Sequence, residues 1–343
     1  MVAVLNYVCS VCGKSFALSN PEQVRKAGGE TKYFCSRTCV EAGLNGAQVK
    51  TCSRCGGSFP LIYVYQEQLL RGGYRYFCSR ECRSAEIAPL IGSGKKTARI
   101  SVLNHKGGTG KTTTVVSLAF GLKNAGKSVL IIDFDSQGSA ASSLGTAVRH
   151  SLTEVITKNL SPAEYASRVE ENIAVIPSSE ELFSLEIAFA SDQAKMKSAA
   201  RMLRGINDFD FVLIDCAPSI TLLNRCALLA SDYVIIPVSC DFLSVAGVKQ
   251  ILKTLRALEI EAFHSVKVLG ILPTFYDART RASRDVMDVL NRYFKERIFE
   301  PIRVNTLLKE APSRGKSIYD FAPASRGAED YARFAAKVLE LLN

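Results

Sequence analysis

Three groups of residues have types and spacings that could do chemistry. The first is the run NHKGGTGKTTT at 104–114, which follows a short β-branched stretch and opens a helical pattern. Gly107, Gly108 and Gly110 permit backbone conformations closed to other residues, so successive N–H groups can turn toward phosphate oxygens at a helix N-terminus. Lys111 would reach the β- and γ-phosphates of a nucleotide, and the Thr112 hydroxyl would ligate Mg²⁺. The second group is eight cysteines in two frames, Cys9, Cys12, Cys35 and Cys39, then Cys52, Cys55, Cys78 and Cys82. CxxC, 22 residues and CxxxC, twice over, is the spacing of a Cys₄ site closing on one tetrahedral metal. Zinc comes first, and a mononuclear iron site satisfies the same thiolates. The third group is acids at the ends of apolar runs: Asp133 and Asp135 in VLIIDFDSQG, and Asp215 in FDFVLIDCAPS. Such an acid is a weak signal alone, because a strand-end acid beside a glycine serves equally to cap the next helix.

Elements must hold these groups in place. Beyond residue 98 the chain alternates apolar runs (ISVLN at 100, SVLIIDFD at 128, IAVIP at 173, FDFVLID at 209, YVIIPV at 233, VKVLGIL at 266) with helical patterns near 112–125, 219–230, 242–259, 281–295 and 326–342. Nearly all-apolar strands interleaved with helices predict an α/β fold, a doubly wound and mostly parallel sheet covered on both faces. The N-terminal part is a duplication instead. Every cysteine of the first frame recurs 43 positions later, as do Phe16 (Phe59) and Tyr33-Phe34 (Tyr76-Phe77), and FCSRTC returns as FCSREC. Residues 85–98 mix Pro, Gly, Ser and Lys without periodicity and read as a linker. The expected division is 1–43 and 44–84 as two metal modules, 85–98 as the linker, and 99–343 as the large domain.

Composition bounds the partners. Hydrophobic content of 47% with 22% charged residues excludes a disordered or fibrous chain. The formal charge of +10 points to an acidic partner, nucleic acid first. Residues 1–97 hold 13 Lys/Arg against 6 Asp/Glu, and the rest 30 against 27. Two Cys₄ metal sites would each add about two negative charges, cutting the N-terminal +7 to roughly +3. No run of 18 apolar residues occurs, and the N-terminus lacks a signal-peptide layout, so a cytoplasmic protein off the membrane is expected. In that reducing compartment clustered cysteines mean metal or redox chemistry. Cys216, Cys226 and Cys240 lack CxxC spacing and read as core thiols.

The loop departs from the generic phosphate loop, with His105 where a glycine usually stands and Lys106 before the paired glycines. In this it resembles the deviant Walker A loop, KGGxGK[ST], of the superfamily that holds ParA, MinD and the nitrogenase iron protein. VLIIDFDSQG resembles that superfamily's Walker A′ strand, and FDFVLIDCAPS ends in an acid as a Walker B strand does. The segments from ASDYVIIPVS, GILPTFYDARTRAS and EAPSRGKSIYDFAPASRGAEDYARFA look like ParA segments in order, so the likeness spans about 99–342. It favours ParA over MinD, because the C-terminal KVLELLN mixes acids and bases where a membrane-seeking helix would not.

The resemblance implies a Mg²⁺-dependent ATPase, slow until activated, whose loop residues Lys106, Gly107, Gly108, Thr109, Gly110, Lys111, Thr112 and Thr113 bind ATP. It implies that Lys106 reaches across an ATP-bound homodimer to the partner's nucleotide and supplies transition-state charge. Asp135 would position the attacking water, Asp133 would sit near the metal, and Asp215 would hold Mg²⁺ through its water shell. Adenine contacts would come from Thr274, Ile302 and Arg303. ParA relatives coat the nucleoid without sequence preference and answer to a ParB-like or cargo-borne activator. Basic candidates for that surface are Arg279, Arg281, Arg284, Arg292, Lys295, Arg303, Lys309, Arg314 and Lys316, although Leu307 stands where relatives place a basic residue. The cysteine units resemble treble-clef fingers of the TRASH or FCS type, and protein docking is their favoured role. Two alternatives remain at this level, a P-loop metallochaperone or iron–sulfur carrier, and a metal-responsive regulatory ATPase. The carriers place a CxxC after Walker B, and this chain has none there.

Overall fold

The computed structural model describes residues 6–18, 23–27, 30–44, 48–61, 66–70, 73–87, 97–146, 149–219, 221–241, 245–262 and 264–342. Two compact units emerge, Met1–Gly94 and Lys95–Asn343.

The first unit repeats one plan. Strands β1 (Asn6–Val8) and β2 (Ser15–Ala17) pair antiparallel, as do β3 (Val24–Ala27) and β4 (Glu30–Tyr33), and helix α1 (Arg37–Leu44) follows. The second copy pairs β5 (Val49–Thr51) with β6 (Ser58–Pro60) and β7 (Glu67–Leu70) with β8 (Gly73–Tyr76), then adds α2 (Arg80–Ile87). Phe34 packs with Val40, Cys9 and Cys39 in one copy, and Phe77 with Phe59 and Cys52 in the other. Cores this small need a cross-link to hold them.

The second unit runs β9 (Ala98–Val102), α3 (Lys111–Asn124), β10 (Val129–Phe134), α4 (Ser139–Ser143), α5 (Leu152–Thr157), α6 (Pro162–Tyr165), β11 (Ser167–Glu170), β12 (Ile173–Ile176), α7 (Leu182–Ser191) and α8 (Gln193–Arg204). It continues with β13 (Phe211–Cys216), α9 (Leu222–Ala230), β14 (Tyr233–Ser239), α10 (Val245–Ala262), β15 (Lys267–Thr274), α11 (Arg281–Phe294), α12 (Leu307–Glu310), α13 (Ile318–Phe321) and α14 (Arg326–Leu342). The seven strands order as β11-β12-β10-β13-β9-β14-β15. All neighbours are parallel except edge strand β11, which runs antiparallel to β12. Every residue of β10 and β13 is buried, as their unbroken VLIIDF and FVLIDC require when helices cover both faces.

Two features escaped the sequence pattern. SRVE of β11 carries a single apolar residue, Val169, among three polar ones, as an edge strand with a wet face can. Residues 182–204 form two helices split at Asp192, whose side chain caps α8 by accepting the Ala194 N–H at 2.8 Å. Helix α3 lies against α14 closely enough that a Cβ on Gly121 would come within 2.6 Å of Ala335. A Thr114–Tyr331 hydroxyl contact of 3.1 Å joins the same two helices. Strand β9 sits centrally: its crossover leads to β10 on one side, while β13 returns through α9 to β14 on the other. Ligands of open α/β sheets bind at such a switch point, beyond the carboxyl ends of the strands, and residues 104–110 occupy that place.

Candidate functional site

The loop from β9 to α3 is held open by backbone geometry. Gly108 (φ 71°) and Gly110 (φ 82°), the N-cap of α3, lie in the left-handed region, which other residues enter only with strain. A Cβ added at Gly107 or Gly108 would meet nothing within 4 Å, so the space beside these two glycines is open among the described residues. Buried Asn104 fixes its start. The Asn104 side chain donates to the Pro237 carbonyl on β14 at 2.6 Å and accepts the Lys106 N–H at 3.0 Å. The Thr274 hydroxyl, at the end of β15, donates to the Thr109 carbonyl at 2.9 Å. Lys111, almost fully buried, turns its ammonium onto the Lys106 carbonyl at 3.2 Å. Burial pulls the Lys111 ammonium below its ordinary pKa, partly opposed by Asp215.

The acids meet this loop from adjacent strands. Parallel pairing puts Asp133 of β10 in register with Asp215 of β13, and Asp215 with Val102 of β9. Asp133 is fully buried and accepts the Asp135 N–H at 2.9 Å and the Ala140 N–H at 3.0 Å, so it caps α4. Even so, burial pushes its carboxyl up to about 7. Asp215 is 1% exposed, and neither of its oxygens has a hydrogen-bond partner among the described residues. Burial and then Asp133 drive its carboxyl well above the carboxylate range, although the nearby Thr112 hydroxyl and Lys111 ammonium act in the opposite sense. An orphaned carboxylate beside a threonine hydroxyl, at the foot of an open glycine loop, suits a hard divalent cation with oxygen ligands. Half-buried Asp135 accepts the Gln137 N–H at 3.1 Å through Oδ1. Thr112 and Thr113 occupy the first turn of α3, both partly exposed.

Other expected residues fall out differently. Lys106 pairs within its own subunit, its Nζ 2.5 Å from Asp241 Oδ1. Ile302 is buried in the main core, and the Arg303 guanidinium grips Asp330 and Glu329 of α14 at 2.5–3.1 Å. Arg303 is thus a strut of the C-terminal helix, with its Nε and Nη2 committed to that network. Arg279 is bound to Asp277, Arg281 to Asp285, and Arg284 to the Ala278 carbonyl. Lys309 lies 6.0 Å from the Phe275 ring. Arg292, Lys295 and Arg314 are exposed, and Lys316 lines a water-sized gap beside Thr113. Leu307 packs on the core, consistent with its apolar type. Sequence reasoning missed Asn104, Ser239 and Asp241. A polar residue closing an otherwise apolar strand was the available signal for Asn104.

In each cysteine frame the four sulfurs lie within 4.8 Å of one another. Within them Cys12–Cys35 are 3.5 Å apart and Cys35–Cys39 3.6 Å, repeated as Cys55–Cys78 at 3.5 Å and Cys78–Cys82 at 3.6 Å. These are too long for a disulfide and near the roughly 3.8 Å edge of a tetrahedron with metal–sulfur bonds of about 2.3 Å. The turns match as well. Gly13 (φ 72°) and Gly56 (φ 71°) each donate to the first cysteine's carbonyl at 3.0 Å. Ser36 and Ser79 accept the N–H of Cys39 and Cys82 at 3.3 and 3.2 Å. Both frames are consistent with zinc modules. Cys216, Cys226 and Cys240 are buried in the second unit, away from either frame in sequence.

A parallel sheet, a glycine loop at its switch point, and a buried lysine facing paired strand-end acids define a P-loop nucleotide hydrolase. A family model described as an AAA domain matches residues 97–268. The chain is 36% identical over 245 residues to the sporulation initiation inhibitor protein Soj of Bacillus subtilis, covering 70% of this chain and 97% of that one. It is 35% identical to the chromosome-partitioning ATPase Soj of Thermus thermophilus, covering 71% and 96%. Among solved structures, cobyrinic acid a,c-diamide synthase from Mycobacterium smegmatis with bound ADP and magnesium is similar with a TM-score of 0.62 at 32% identity, covering 71% of this chain and 95% of that one. The chain belongs to the ParA/Soj family of partition ATPases, and its enzymatic activity is that of an ATPase. No helix among the described residues is long and apolar enough to cross a membrane.

Proposed function

We propose that this ATPase dimerises on ATP, binds DNA without sequence preference, and hydrolyses ATP when a ParB-like or cargo-borne activator engages it, so that DNA or a protein cargo is positioned on the nucleoid in the cytoplasm. The observation that carries the reading is the loop itself, with two lysines on a glycine cradle facing the orphaned Asp215. The main-chain amides of 107–112 and Lys111 would grip the triphosphate. Thr112 and Asp215 would hold Mg²⁺, which when bound neutralises charge on the β- and γ-phosphates. Asp135 would orient the attacking water, and Lys106 from the partner would complete the charge around the transferred phosphoryl group. Adenine would lie toward Thr274 and residues 302–303, using backbone and ring-facing surface, because the Thr274 and Arg303 side chains are engaged elsewhere.

Residues 1–43 and 44–84 are proposed as zinc modules for partner docking, joined through a linker at 85–98 to an ATPase domain at 99–343. Zinc in each Cys₄ frame would supply the cross-link that its small core lacks. DNA contact falls to exposed bases such as Arg292, Lys295 and Arg314, since Leu307 offers no charge and Arg303 is occupied. Phosphate contacts of this kind make affinity fall steeply with salt.

Asp135→Ala is the direct test. It should bind ATP, persist as a dimer and stay on DNA, with turnover lost. Retained turnover would remove the water-positioning role, and DNA binding that ignores both ATP and salt would remove the switch.

A further inference from the structure

We propose that Asp241 is a positioning residue for hydrolysis, clasping Lys106 within its own subunit and keeping it from the partner's nucleotide until the dimer closes. This rests on the reading of Lys106 as a group that acts across the dimer.

The clasp is built rather than incidental. One carboxylate oxygen of Asp241 is 2.5 Å from Lys106 Nζ, while the other accepts the Ser239 hydroxyl at 2.5 Å. The Asp241 N–H also donates to the Ser239 carbonyl at 2.7 Å, closing a tight turn at the end of β14. The carboxylate is therefore oriented before the lysine arrives, which removes much of the ordering cost that weakens surface ion pairs. Asn104 ties the loop backbone to the same strand end through Pro237, independently of the Lys106 ammonium. Lys111 holds the Lys106 carbonyl, not its side chain. Only the ammonium end of Lys106 is thus set to change partners, while the cradle keeps its shape.

The strength suits a releasable contact. The Lys106 and Asp241 side chains are 36% and 48% exposed, so water and salt already compete for the pair. Leaving one carboxylate for phosphate oxygens keeps the ammonium neutralised throughout. A half-exposed pair of this kind restrains an equilibrium by about two- to fivefold.

The test uses the full-length chain with ATP and magnesium, comparing wild type, Asp241→Asn, Asp241→Glu, Lys106→Ala and the Lys106→Ala/Asp241→Asn double variant. Unstimulated turnover is read together with the dimer fraction on a non-hydrolysable ATP analogue. Asp241→Asn should raise both by about two- to fivefold, with KM for ATP unchanged because Lys111 and Asp215 are untouched. Asp241→Glu should return toward wild type. Lys106→Ala should be inactive, and the double variant equally so.

Asp241→Asn at or below the wild-type rate, with Lys106→Ala inactive, overturns the clasp and leaves the trans lysine standing. A double variant faster than Lys106→Ala also overturns it, since Asp241 then acts through some other group. Wild-type turnover by Lys106→Ala instead removes the trans reading beneath the proposal. Should Asp241→Asn fail to fold, Ser239→Ala loosens the same carboxylate while keeping its charge. Its rate should rise in the same direction, and a rate at or below wild type counts against the clasp.

Discussion

Replacing Asp215 by Asn should stabilise the nucleotide-free protein while abolishing the response to magnesium. Asp215 is buried, unpartnered and in register with Asp133, so its charge is unfavourable until a cation arrives. The Asp133 carboxyl beside it rises from 3.8 to about 7 under burial. Asp215 is shifted in the same direction by the same burial. An uncompensated buried charge costs about 3–5 kcal/mol, and relaxation and water entry trim that figure, so Asp215→Asn should gain about 2–4 kcal/mol near pH 8. For a domain of this size that is a rise of roughly 4–16 °C in Tm.

The pH dependence has a definite sign. Both carboxyls titrate higher folded than unfolded, so the unfolded chain loses its protons first as pH climbs. Stability contributed by the protonated acids is complete below about pH 4, falls through the interval up to the folded pKa, and is gone above it. The advantage of Asp215→Asn should therefore shrink toward zero near pH 4 and grow up to neutral pH. Differential scanning calorimetry in magnesium-free buffer, with and without magnesium and a non-hydrolysable ATP analogue, reads both effects on the transition that nucleotide shifts. An Asp215→Asn variant no more stable than wild type at pH 8, or one still stabilised by magnesium with the analogue, would refute the reasoning.

Lys111→Ala should weaken ATP binding by roughly 10- to 100-fold, the value of one charge-assisted contact of about 1.5–3 kcal/mol, as isothermal titration calorimetry would show. Elemental analysis should find two metal ions per chain, falling to one in Cys12→Ser or in Cys55→Ser, and a colourless protein would identify zinc rather than iron. Gly270→Ala should cost about 1–3 kcal/mol, because the new Cβ would lie 2.4 Å from the Phe299 ring. Chemical denaturation measures that loss, and an unchanged midpoint would mean the ring can move aside.

Much of this protein is settled by local chemistry. A run such as VLIIDF, one of several alternating with helical patterns, reads as a strand buried on both faces, and GGTGKTT between a strand and a helix reads as a loop that offers backbone amides, so the sheet, the loop and Lys111 follow from sequence. The cysteine frames follow likewise, because a repeat of 43 residues duplicates every ligand together with the turn glycine Gly13, which returns as Gly56. Asp215 is different: its sequence signal is an acid at a strand end, and only the register with Asp133 and its unsatisfied oxygens among the described residues make it a candidate for a cation.

Tertiary structure also decided which side chains are free. Arg303 looked available and is locked to α14, while Asp133 serves first as a helix cap. Asp241, which pairs with Lys106, lies 135 positions away on the neighbouring strand end. Periodicity and motif spacing report what neighbours in the chain must do, since sterics and hydrogen bonding act over a few residues. Pairings between strand ends depend on how the sheet orders its strands, and no local pattern encodes that.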